Sequence, residues 1–65
     1  MTGKEFRKWR RNLEITQQEV ADIVKCHKTT ICRWEKEKLV LADDLYERIL
    51  KFYNRQILYI SNGQF

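Results

Sequence analysis

Apolar residues recur along this chain at helical spacing. Phe6, Trp9 and Leu13 fall on one face at i, i+3 and i+7, which predicts a first amphipathic helix from Gly3 to Leu13. Lys4, Lys8 and Arg11 point elsewhere on it. Thr16-Gln17-Gln18-Glu19 reads as a capping box, with Thr16 as N-cap and Glu19 reaching back. Val20, Ala21, Ile23 and Val24 follow as the buried stripe of a second helix ending near Val24. A third helix starts near His27 or Lys28, runs to about Lys36, and buries Ile31 and Trp34. Counted at about 100° per residue from Ile31, Thr29, Arg33 and Lys36 lie about 140–200° away, on an outer face without a carboxylate.

The fourth helix starts around Leu41–Asp43 and reaches at least Asn54. Leu41, Leu45, Ile49 and Phe52 make one apolar stripe, and Tyr46, Leu50, Tyr53 and Ile57 make a second beside it. One stripe completes a core in a domain this small; the second is spare. Residues 57–60 favour a strand by composition and are equally able to prolong the helix. The organisation expected is a domain over 1–56 and a tail over 57–65 that takes part in dimerisation.

Two short helices joined by a turn of about three residues, with a basic outer face on the second, describe a helix-turn-helix. Its second helix fits the major groove, where base edges are distinguishable. Charge agrees. Residues 1–38 carry ten Lys/Arg against six Asp/Glu, whereas residues 39–65 carry three of each, so the net charge of +4 sits in the first part. A 65-residue chain suits a binding module better than an enzyme, and no Ser/His/Asp set, Gly-rich loop or convergent carboxylate pair supports catalysis. Cys26, His27 and Cys32 lack the fourth ligand of a structural zinc site, so neither metal nor cofactor is expected. The cysteines read as free thiols in a reducing cytosol. The N-terminus has no apolar signal core, and no apolar run spans a bilayer. The expectation is a cytoplasmic protein without a membrane or small-molecule substrate.

Thr16-Gln17-Gln18-Glu19-Val20-Ala21-Asp22-Ile23-Val24, followed by Thr29-Thr30-Ile31-Cys32-Arg33-Trp34-Glu35, resembles the phage Cro and cI repressor family, also called XRE-like. The likeness covers about Phe6 to Phe52. It implies an all-α, four- to five-helix, lambda-repressor-like fold, although the usual fifth helix is not evident. It also implies that Lys28, Thr29 and Arg33 meet base edges and that Gln17 touches the DNA backbone or an outer base. Arg10 and Glu35 resemble a family ion pair tying the first helix to the end of the third. The expected backbone contacts are Arg11, Thr16, Gln18, His27, Lys36 and Lys38.

The chain departs from the family at three points. Lys25 stands where the turn usually has Gly, at a cost on the order of 1 kcal/mol if φ is positive. His27 replaces a Ser or Thr N-cap. Lys36-Glu37 replaces Asn-Gly, which predicts that the third helix runs on by a turn.

The function expected is a repressor that occludes a promoter by binding a palindromic operator of double-stranded DNA as a homodimer. A chain with nothing beyond the domain lacks an activating or ligand-sensing module. Tyr46, Leu50, Tyr53 and Ile57 are the expected dimer interface. Two other readings stand beside it: an antitoxin-like or other protein-interaction module using helix four, and a DNA-architectural or recombination-directionality factor acting over tandem sites.

Overall fold

The computed structural model describes residues 1–63, with side chains through Leu58. Four helices follow in order: α1 (Gly3–Asn12), α2 (Gln17–Val24), α3 (Lys28–Glu35) and α4 (Asp43–Gly63). There is no strand among the described residues. The backbone of α4 continues as helix through residues 57–63, so the β-prone segment prolongs the helix. Residues 64–65 of the expected tail lie outside the described residues.

Two capping boxes start the first two helices. Thr16 Oγ1 accepts from the Glu19 amide at 3.0 Å, and Glu19 Oε1 accepts from the Thr16 amide at 3.0 Å. Thr2 and Glu5 make the same pair of bonds at the head of α1, at 3.1 and 2.9 Å. That second box was present in the sequence as Thr2-Gly3-Lys4-Glu5 and was not anticipated. His27 leads α3 with no side-chain capping bond.

Each connection places one non-glycine residue in left-handed backbone: Glu14 (φ 58°), Lys25 (φ 60°) and Glu37 (φ 60°). This corrects the expectation that α3 runs on. The helix stops at Glu35, where the Glu37 amide donates to the Trp34 carbonyl and the Lys38 amide to the Arg33 carbonyl, both at 2.9 Å. Those are the two closing bonds of a Schellman motif. α1 ends the same way, with Glu14 donating to the Arg11 carbonyl and Ile15 to the Arg10 carbonyl, both at 3.1 Å. A helix terminus thus takes the left-handed residue it needs even where the sequence offers no glycine.

Phe6, Val20, Ala21, Val24, Ile31 and Trp34 bury together, and Leu41, Leu45, Ile49 and Phe52 of the α4 side close the core over them. The expected first stripe of α4 is therefore the buried one, whereas Ile23, expected in the buried stripe of α2, is exposed because that helix turns only Val20, Ala21 and Val24 to the core. Gly3 is buried where α1 crosses the end of α3, and a Cβ there would overlap the Trp34 carbonyl. Arg48 of α4 donates to the Val24 carbonyl at 3.0 Å and so satisfies the C-terminal end of α2.

Candidate nucleic-acid interface

The α2–α3 pair is held rigidly by a buried polar junction. Arg10 of α1 donates through Nε to Glu35 Oε2 at 2.8 Å and through Nη2 to Glu35 Oε1 at 2.9 Å. Its Nη1 donates to the Ile15 carbonyl at 2.7 Å. Glu35 is 3% exposed and Arg10 8%, so a two-point bond replaces water for both charges. Gln17 Nε2 donates to the same Glu35 Oε1 at 3.0 Å. Sequence reasoning assigned Gln17 only to DNA and missed this tie; its half-burial at the first turn of α2 is the reason it reaches inward.

Around this junction the surface is concave. Arg11, Glu14, Thr16, Gln17, Gln18 and Lys28 line one depression between the end of α1 and the starts of α2 and α3, two cations against one carboxylate. The amides of Gln17 and Gln18 stand at the head of α2, before the capped Glu19 amide. N–H groups at the positive end of a helix dipole, flanked by Arg11 and Lys28, suit an anionic oxygen. Gln18 Nε2 already donates to Asp22 Oδ1 at 2.8 Å, which leaves its second amide proton for an outside acceptor.

The other expected contacts lie beyond this depression. Thr29 and Arg33 are exposed on α3, on the side away from buried Ile31, Trp34 and Glu35. His27 is exposed ahead of them, and Lys36 and Lys38 are exposed in the connection after α3. Thr29 and Arg33 thus share the outer side of α3, Lys28 lies on its flank at the first turn, and the other expected contacts lie at the two ends of the helix. Burial pushes the Cys26 thiol up from its ordinary value, against the opposing charge of Arg48. No group of three metal-ligating residue types forms among the described residues.

A helix-turn-helix family model matches residues 6–60. The chain belongs to that family, of the Cro/cI or XRE-like type. No curated protein and no solved structure gives a significant match. Membership makes this helix-turn-helix protein a DNA-binding transcription regulator. Among the described residues no helix is long and apolar enough to cross a membrane.

The four residues expected at a dimer interface share one flank of α4, with unequal freedom. The Tyr46 hydroxyl accepts from the Met1 nitrogen at 2.7 Å and donates to the Met1 carbonyl at 3.1 Å, and its ring meets Trp34 edge-on. The Tyr53 ring lies on Trp9, with centroids 4.7 Å apart. Both tyrosines and Leu50 are half-buried, and Ile57 is exposed. The stripe is therefore partly used within the chain, chiefly at Tyr46.

Proposed function

We propose that this regulator is a repressor that occupies a palindromic operator as a homodimer. The observation that carries the reading is the outer side of α3. Thr29 and Arg33 are exposed there and Lys28 is exposed on the flank at the first turn, while the opposite side is fixed by Ile31, Trp34 and the Arg10–Glu35–Gln17 junction. A helix so presented enters a major groove and offers an arginine fork, an ammonium and a hydroxyl to base edges. Arg11, Gln18, His27, Lys36 and Lys38, with the Thr16 cap, meet the flanking phosphates and set the register.

One such helix covers few base pairs. Pairing two of them about 34 Å apart gains affinity and imposes two-fold symmetry on the site. The flank of α4 carrying Leu50, Tyr53 and Ile57 is the surface for that pairing. Occupying a promoter requires no activity beyond DNA binding itself, which is why repression is the simplest output.

The test is selection of bound sequences from random duplexes, followed by sedimentation of the complex on the selected site. An inverted repeat with two chains bound is the expected result. Enrichment of no sequence would reject base readout, and a single chain on a non-repeated site would reject the dimer.

A further inference from the structure

The half of the chain whose charges sum to zero hides a local separation of charge. In α4 the acids come first, at Asp43, Asp44 and Glu47, and the bases follow at Arg48, Lys51 and Arg55. The spacing of those bases, i, i+3 and i+7, puts them on one flank of the helix. Across the seam with α2 that flank meets Lys25 and Ile23, and together they wall a groove floored by Val24 and Phe52.

The cations of the groove are not equivalent. Arg48 is engaged twice, by the Val24 carbonyl at 3.0 Å and by Asp44 at 3.5 Å. Lys25, Lys51 and Arg55 are exposed, and neither ion pair among the described residues involves them. Three cations brought together from the turn after α2 and from α4, without carboxylate partners, leave a positive field over the groove.

Its position gives that field a direction. Lys25 lies in the turn of the helix-turn-helix, three residues before Lys28, so the groove opens beside the start of α3. On α4 the basic flank and the Leu50–Tyr53–Ile57 flank are about 160° apart at about 100° per residue. If the apolar flanks meet at the dimer axis, the basic flanks face away from it, along the DNA outside the two half-sites.

We infer that Lys25, Lys51 and Arg55 form an accessory site for the phosphate backbone of the duplex flanking the operator. The site holds DNA by charge and carries no base preference. This inference rests on the proposed pairing through α4. A DNA backbone fits the groove better than an acidic protein segment because one of its three cations, Lys25, belongs to the turn that leads into the DNA-reading helix.

The experiment compares two duplexes bearing the selected operator. One ends at its outermost base pairs and the other extends about one helical turn, roughly 10 base pairs, on each side. Binding of the unmodified protein and of the Lys51→Gln, Arg55→Gln double variant is measured across a salt series, with circular dichroism showing that the variant is folded. The unmodified protein should bind the extended duplex more tightly and with a steeper salt dependence. The double variant, which keeps Lys25, should lose most of that difference and bind the short duplex as before. With a slope of about 0.9 per phosphate contact, removing two contacts from each of two subunits flattens the extended-duplex slope by about 3.6. Equal affinity and slope of the unmodified protein on the two duplexes would overturn the inference, as would a double variant that keeps the flank advantage. Affinity and base preference on the short duplex report operator binding without the flank, so the two readings fail separately.

Discussion

Gln17 and Arg10 share one acceptor, Glu35 Oε1, at 3.0 and 2.9 Å. Truncating Glu35 would leave a buried guanidinium without its counter-charge and Gln17 without its anchor. Glu35→Ala should therefore destabilise by about 3–5 kcal/mol. Glu37→Ala, at an exposed residue, should change stability by no more than about 0.5 kcal/mol. Thermal melts of the two variants check this, and coincident midpoints would contradict the burial of the pair.

The outer side of α3 separates base readers from phosphate contacts. Arg33→Ala should weaken operator binding by about 1–3 kcal/mol and relax preference at one base pair. Lys36→Ala should weaken binding to all duplexes alike and flatten the salt slope by about 0.9 for each subunit. Titrations against the operator and its single-base variants decide between these behaviours. An unchanged base preference in Arg33→Ala would remove Arg33 from the groove.

Gly3 is a helical glycine that cannot be improved. In an open helix, Gly→Ala stabilises by about 1 kcal/mol. Here the added methyl would meet the backbone of Trp34 and approach Glu35 Cα to 3.0 Å, and backbone does not swing aside as a side-chain tip does. Gly3→Ala should instead destabilise by about 1–3 kcal/mol, as overpacking does. Denaturant titration beside the exposed control Lys4→Ala measures the difference, and a stabilised Gly3→Ala would mean that α1 and α3 stand further apart.

The capping boxes predict an acid dependence. In each, the threonine amide bonds the carboxylate first and the hydroxyl second, and both hold Glu5 and Glu19 below the ordinary value of 4.5. A carboxyl with a lowered folded pKa stabilises the fold above the unfolded pKa, and that contribution disappears as pH falls through the folded value. Stability should thus decline on acidification below about pH 4.5. Glu19→Gln should narrow the gap between neutral and acid melts, and melts at pH 7 and at successively lower pH follow it. A variant with the unmodified pH profile would place the loss elsewhere.

Local signals carried much of this fold. Thr16 and Glu19 marked the start of α2, and the apolar stripes named the buried residues of α2, α3 and α4 with one exception, Ile23, which is 55% exposed. The Arg10–Glu35 pair came from resemblance and stands as a buried two-point bond. What was not legible depends on how helices cross. The role of Gly3 exists only because α1 meets the end of α3 there, and Gln17 turns inward only because Glu35 lies beneath it. Glu14 and Glu37 carried no sign of a left-handed turn, since glutamate is not selected for one; the closing hydrogen bonds of α1 and α3 impose it. Residues 57–60 were ambiguous because their β-branched composition competes with helix propagation. With no glycine or proline between Gly3 and Gly63, propagation prevails.

Glu35 belongs to α3, Arg10 to α1 and Gln17 to α2, so a single carboxylate lies where three helices meet. α3 cannot detach alone without exposing that carboxylate's partners. The three helices therefore open to solvent as one cooperative unit, and their slowest-exchanging amides share one opening free energy. α4 joins them through apolar packing, the Arg48 bond to Val24 and the Tyr46 bonds to Met1, outside that junction. Amide exchange under native conditions should then open α4 before the other three, with the DNA-reading helix among the last parts of the described chain to open.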